Sequence, residues 1–357
     1  MASRQKHYLN TFCPKYHLHT NPFLSSIPLE ECNQVMATYA TFLALGNSLL
    51  CRSILADTID KYLTAISDLF TQNGFPSPLT DPNKPNKRAP CITYVVSEQR
   101  RWEKVPNRRE PLTLDMLQAI ILHSKNSPST SLNSALTDWF TLGVYMGPRL
   151  SEFAQHSASL CKTGVKRNKD DTPTAFILSD FEFRGQNNIR LPHTFESSHA
   201  ASLRVTWRFQ KNNRNGEVIT YTRNHDNTTL CPVLAALRIC QRAIQLGQLD
   251  TLPIAIYLND KNTISYITDT HIESLLRNTA QSLYNITNPD ELKRFSAHSL
   301  RVGACVILHM AGSTSLTIKK RLRWVSDTFM TYLRDLPQLG DIHISFINSA
   351  MGTYDSP

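Results

Sequence analysis

The chain of 357 residues has no long apolar run. Its best stretches, Trp139–Met146 and Cys305–Ala311, fall well short of the roughly 18 nearly uncharged residues that a membrane-crossing helix needs. The opening Met1 to His7 lacks the apolar stretch of a secretion signal, so the expectation is an intracellular protein with no membrane partner. Cysteine is present but scattered. The eight cysteines stand at 13, 32, 51, 91, 161, 231, 240 and 305, with no CxxC pair and the closest two nine positions apart, which disfavours both a disulfide framework and a zinc ribbon. Cys13, His17, His19 and Cys32 can be drawn as a metal site, but their loose spacing argues against it. There is also no P-loop, no acidic metal-binding cluster, no internal repeat and no low-complexity segment. Neither a metal nor a cofactor is expected.

What the sequence does have is apolar content and positive charge. Hydrophobic residues make up 41% and aromatics 9%, enough to close a sizeable core against the entropy of ordering the chain. At roughly 100–200 residues per domain, the length suggests two or three domains. Lys and Arg number 38 against 29 Asp and Glu, a formal net charge of +9. That balance points toward a phosphate-bearing partner and names no activity.

Residues 1–28 read as a polar N-terminal arm. From Leu29 the texture turns helical, and Leu55, Ile59, Tyr62, Leu63, Ile66, Leu69 and Phe70 recur at helical spacing before Gly74 stops the pattern. A Pro-rich break at 76–90 and a shorter helical stretch near 94–104 follow, so a helical domain is expected over 29–105. Between Lys84 and Glu110 there are eight Lys or Arg and three Asp or Glu. Lys84, Lys87, Arg88, Arg100, Arg101, Arg108 and Arg109 are therefore candidates for backbone-phosphate contacts, although a solvated linker would look the same. The segment from Lys84 to Arg88 is also a feeble nuclear-import candidate.

A second domain is expected over 110–335. Thr113 can cap a helix carrying Leu114, Leu117, Ile120 and Ile121, and another helix spans 132–146 up to Gly147-Pro148. Short strand-like runs appear at 175–178, 203–209 and 218–222, the last two flanking a turn-rich Gln210-Lys-Asn-Asn-Arg-Asn-Gly216. Helices are expected at 232–246, 269–284 and 297–310, then a final group ending near Arg334, with a tail over 336–357. The fold class is mainly α with a small antiparallel β-sheet, α+β.

Four local features carry chemistry: Gly147-Pro-Arg149-Leu-Ser-Glu152, Lys211 in the turn, His298-Ser-Leu-Arg301, and Arg323-Trp324 leading to Tyr332. Each has an ordinary structural explanation. Arg149 and Glu152 could be a helix-surface ion pair, and His298, Trp324 and Tyr332 could be packing residues. Their order and spacing taken together resemble the tyrosine recombinase (phage integrase) family over nearly all of residues 30–335. Gly303 and Ala304 supply the small residues that tend to follow the His-x-x-Arg box, and Tyr332 falls 31 residues after Arg301 and eight after Trp324. The phrase from Arg323 to Arg334 looks most like the eukaryotic mobile-element branch, the Crypton and DIRS-like recombinases. Trp324 stands where a histidine is commoner in the family.

The resemblance implies a DNA strand-transfer enzyme independent of ATP and metal. Arg149 and Arg301 would bind the non-bridging oxygens of a scissile phosphate, and Tyr332 would be the nucleophile of a 3′-phosphotyrosyl intermediate. Lys211 would protonate the leaving 5′-oxygen, although a register slip would make Arg214, a DNA-binding candidate, the nearer cation. His298 and Trp324 would hydrogen-bond the phosphate, and Glu152 would support the arginine site. Lys319, Lys320 and the rest of the run to Arg323 would grip flanking DNA. Double-stranded DNA and a homotetramer on two paired duplexes are the implied partners, with genomic DNA, in the nucleus of a eukaryotic host, as the location. A type IB topoisomerase and a catalytically silent DNA-binding descendant of a mobile element are the alternatives.

Overall fold

Residues four apart lie on one face of a helix, which puts Tyr8 and Phe12 on the same side of the N-terminal segment. In the computed structural model, which describes residues 3–103, 108–194, 198–210, 214–333 and 344, that segment is not a loose arm. It forms α1 (Ser3–His7), a π-helical turn at Tyr8–Phe12 and α2 (Cys13–Lys15). Tyr8 and Phe12 are at most 1% exposed and pack on Tyr39 with ring centroids 5.3 and 4.7 Å away. The His7 ring is held between the Tyr39 hydroxyl at 3.0 Å and the Asn47 carbonyl at 2.9 Å. The polar average of the first 28 residues conceals an apolar face that unit 1 needs. Cys13 and Cys32 are core residues of the same cluster.

The chain divides into two units, Met1–Pro106 and Asn107–Pro357. In the first, α3 (Leu29–Ala44), α4 (Ala56–Gln72) and α5 (Pro90–Arg101) close over the N-terminal helices. On α4 the periodic Ile59, Tyr62, Leu63, Ile66, Leu69 and Phe70 are all buried, whereas Leu55 lies ahead of the helix and is exposed. The Pro-rich break is a hairpin rather than a linker: β1 (Thr80–Asp81) pairs with β2 (Lys84–Arg88). The Asn33 side-chain amide ties it to α3 by donating to the carbonyls of Pro78 and Thr80.

The second unit begins with α6 (Leu114–Ser124), where the Thr113 hydroxyl accepts from the Met116 N–H at 3.1 Å, a cap that satisfies an otherwise orphaned donor. Helix α7 (Leu132–Met146) is buried nearly all round and forms the axis of the core, followed by the short α8 (Leu150–Phe153) and α9 (Ser157–Thr163). A four-stranded antiparallel sheet follows, in the order β4 (Arg190–Leu191), β3 (Phe181–Arg184), β5 (Ser202–Trp207), β6 (Glu217–Thr222). The run expected as a strand at 175–178 is not one. Ala175 and Phe176 are buried in packing, Phe176 against Trp207 at 4.8 Å, and the Asp180 carboxylate accepts the Ile177 N–H to form a turn that delays the strand to Phe181. Then come α10 (Pro232–Gln245), a hairpin of β7 (Ile256–Leu258) and β8 (Ile264–Tyr266), α11 (Asp269–Tyr284), α12 (Pro289–Leu292), α13 (Ser299–Met310), α14 (Ser315–Leu322) and a 3-10 turn over Asp327–Tyr332.

Two glycines let α13 sit close enough to its neighbours to present its N-terminus. A Cβ at Gly143 of α7 would lie 2.5 Å from Leu300, and one at Gly303 would lie 2.3 Å from the backbone oxygen of Leu112. Replacing an ordinary helix glycine by alanine gains about 1 kcal/mol. For Gly303→Ala the sign should reverse, because a backbone oxygen cannot rotate away: denaturant unfolding of unit 2 should show a loss of about 1–3 kcal/mol.

Candidate active site

The site is assembled where α7 stops. Gly147 takes a left-handed conformation, φ 53, and its N–H closes the helix on Gly143 at 2.8 Å. The chain then turns so that Arg149 caps α8. Glu152 reaches back, its carboxylate accepting from the Arg149 backbone N–H at 2.6 Å and from the Arg149 guanidinium at 2.9 Å. The Gly147 carbonyl faces the other way and accepts from Nη1 of Arg301, which is 1% exposed on α13. The helix end therefore joins the first sequence feature to the third.

Tyr332 arrives from the C-terminal side. Its hydroxyl lies 2.9 Å from Nε2 of His298, and its ring packs 5.8 Å from Trp324. The Arg301 guanidinium lies over the Trp324 ring at 4.2 Å, a cation–π contact. Arg149, Glu152, His298, Arg301, Trp324 and Tyr332 thus lie in one connected cluster, although 183 positions separate the first from the last. Lys211 lies outside the described residues. Its neighbours in sequence are placed: Gln210 donates to the Arg214 carbonyl and to Glu217.

A further member, Arg323, was hidden in the basic run expected to grip DNA. It is 3% exposed. Its Nη1 and Nη2 each donate to the Glu152 carboxylate at 3.2 Å, Nη1 also donates to Oε1 of Gln210 at 3.3 Å, and the guanidinium covers the Trp207 ring at 3.0 Å. Arg323 shares with Glu152 a partner that no local spacing reveals, 171 residues away. Other members of the cationic list are also engaged. Lys319 pairs with Asp327 at 2.6 Å, Arg88 with Asp60, Arg100 with Asp57 and Asp60 and Arg101 with Glu98. Arg109 donates to the Lys293 carbonyl. Lys84, Lys87 and Lys320 are exposed, and no ion pair holds them among the described residues.

The charge in this cluster is unbalanced. Three guanidiniums, those of Arg149, Arg301 and Arg323, meet one carboxylate. Burial works against ionising Glu152, but Arg323 and Arg149 outweigh it and hold its carboxyl below the usual range. Burial, and after it the charges of Arg149 and Arg323, pull Arg301 down to about 9. Burial, then Arg301, Arg109 and Arg149, push His298 down to about 4. Burial raises the Tyr332 phenol above 10, against the pull of Arg301. Among the described residues three buried donors of the cluster, Nη2 of Arg301, Nε1 of Trp324 and Nε of Arg323, have no hydrogen-bond partner, and burying such groups unpaired costs about 1–3 kcal/mol each. An anion entering the cluster would relieve both the repulsion and the unpaired donors. In the tautomer that carries its proton on Nδ1, the neutral His298 ring can accept the Tyr332 hydroxyl proton at Nε2.

The sequence matches no family model and no curated protein. By structure the chain is similar to the XerH site-specific recombinase bound to its difH substrate in a pre-cleavage complex, at 14% identity and TM-score 0.47, over 94% of this chain and 75% of that one. It is also similar to the Tn1549 transposon integrase in complex with transposon right end DNA, at 12% identity and TM-score 0.42, over 92% and 87%. A lambda integrase dimer bound to a COC′ core site is a third, at 16% identity and TM-score 0.38, over 87% and 66%.

The electrostatics of the cluster can be read directly. The His298 ring should titrate by NMR with a midpoint near 4, and a midpoint at or above 6.5 would contradict the geometry. The unfolded chain takes up this proton near 6.5 and the folded protein only near 4. The His298 contribution to stability should therefore be complete above pH 6.5 and be lost as pH falls through that window.

Proposed function

We propose that this chain is a tyrosine-type site-specific DNA recombinase that cleaves and rejoins strands through a 3′-phosphotyrosyl intermediate on Tyr332. The observation that carries the reading is the 2.9 Å contact between the Tyr332 hydroxyl and a neutral His298, set beside the buried Arg301 and Trp324 donors that lack an acceptor among the described residues. A phenol near pKa 10 is a poor nucleophile at neutral pH. It needs a nearby base, and the imidazole provides one.

In the proposed reaction the Tyr332 oxygen attacks the phosphorus and passes its proton to His298 Nε2. The negative charge that builds on the non-bridging oxygens meets Arg301, Arg149 and the Trp324 N–H, donors already fixed by their packing. The P–O5′ bond breaks, and the leaving oxygen takes a proton from Lys211, the residue that the family resemblance assigns. His298 thus becomes a proton acceptor for the nucleophile rather than a phosphate donor. The tyrosyl ester keeps the energy of the phosphodiester, so a 5′-hydroxyl from another strand can displace Tyr332 and restore the backbone without ATP. Exchange between partners would take two duplexes and four protomers. The exposed Lys84, Lys87 and Lys320 would contact flanking phosphates. A Crypton or DIRS-like mobile-element origin and action on genomic DNA, in the nucleus of a eukaryotic host, complete the proposal.

The test uses nicked duplexes of randomised sequence, from which the cleaved 5′-hydroxyl fragment diffuses away and leaves the tyrosyl ester trapped. The wild-type chain should give a covalent protein–DNA band on a denaturing gel, and Tyr332→Phe should give none. A silent DNA-binding protein would give no band, and a topoisomerase would relax supercoiled plasmid without exchanging partners between duplexes. DNA affinity should also fall steeply with salt: if about six phosphates are neutralised, raising salt from 50 to 200 mM should weaken binding about 1,000-fold. A flat response would count against the backbone contacts.

A further inference from the structure

Arg323 plays no part in the reaction drawn above, yet its position is tightly specified. It ends α14 in the left-handed region, φ 57, where glycine is the residue with no steric cost. The hydrogen bonds that close the helix there run from the backbone N–H groups of Arg323 and Trp324 to the Lys319 carbonyl, so the turn itself makes no use of the side chain. An arginine in that conformation, with its charge buried, calls for a function that outweighs both costs.

Its contacts indicate what that function is. The guanidinium spans both oxygens of Glu152, the same carboxylate that holds the backbone and side chain of Arg149. It also donates to Oε1 of Gln210, whose backbone N–H bonds Asn215 at 2.8 Å and whose amide bonds the Arg214 carbonyl and Glu217. Gln210 and Arg214 flank the turn between β5 and β6, so Arg323 fixes the base of that turn. Trp207, the last residue of β5, lies under the guanidinium. On its C-terminal side, Arg323 is bonded directly to Trp324, the residue stacked on Arg301. No hydrogen bond joins Arg323 to Tyr332 or His298.

We infer that Arg323 is a positioning residue that locks the Glu152–Arg149 pair, the base of the β5–β6 turn and the Trp324–Arg301 stack into one geometry. The inference rests on the reading of Tyr332 as the nucleophile. Lysine cannot replace Arg323 here, because a single ammonium has no planar fork to span Glu152 and Gln210 together.

The experiment compares wild type, Arg323→Lys and Gln210→Met as full-length chains. It measures the thermal midpoint, the affinity for DNA and the first-order rate of adduct trapping on saturating nicked duplexes of sequences selected by the wild type. Displacements of about an ångström in a positioned site cost on the order of 100-fold in rate. Arg323→Lys should trap about 100-fold and Gln210→Met about 10-fold more slowly per folded molecule, with DNA affinity within about threefold of wild type. Trapping at the wild-type rate by the folded fraction of both variants would overturn the inference and leave Tyr332 as nucleophile untouched. If Arg323→Lys does not fold, Gln210→Met decides alone, and an undiminished rate would overturn the proposal. Absence of an adduct from the wild type would instead remove the nucleophile assignment on which the inference rests.

Discussion

One buried carboxylate organises the second unit. Glu152 is 5% exposed and answers two arginines far apart in the sequence, Arg149 three residues before it and Arg323 well beyond. A carboxylate alone at that depth would cost several kcal/mol to ionise, and two guanidiniums alone would repel each other. The buried charges of Glu152 and Arg323 compensate each other, and the half-buried Arg149 adds a second cation to the same carboxylate. Through this triad the end of α7, the base of the β5–β6 turn and the end of α14 share one arrangement.

The triad leaves positive charge over, and that surplus gives the site its character. Arg301 is buried among like charges and spends one nitrogen on the Gly147 carbonyl, with another left unpaired. Burial first, and then the charges of Arg301, Arg109 and Arg149, hold the His298 ring neutral, which turns a residue expected to donate into one able to accept. Tyr332 is thereby placed beside an imidazole that can take its proton and within the field of Arg301, which favours its oxyanion. Close packing sets this geometry. Gly143 and Gly303 bring α13 against α7 and Leu112 with no room for a methyl group, and the first turn of α13 is what carries His298 and Arg301 into the cluster.

Local chemistry made much of the fold legible. Helices α7 and α11 begin and end where the sequence pattern puts them, at Leu132–Met146 and Asp269–Tyr284. Thr113 caps α6 as its side chain allows. The failures share a cause. Ala175 and Phe176 look like a strand because buried apolar residues look alike whether they pair in a ladder or pack beneath one. Tyr8 and Phe12 were lost in a polar average although their spacing marks a helix face. The three-residue strands β7 and β8 are too short to leave a period.

The sequence by itself determined the chemical types in the site and their order, because Arg149, Glu152, His298, Arg301, Trp324 and Tyr332 are fixed in identity and position before the chain folds. It also determined which helices could form, since caps and periodicity act within a few residues. Only the tertiary structure decided which charges are buried and which face solvent. Arg323 reads like its neighbours Lys319 and Lys320 in a basic run, yet it lies beneath the surface on Glu152, because pairing across 171 residues leaves no local trace. The protonation of His298 was likewise settled by burial and by the arginines around it, forces that exist only once the chain has folded.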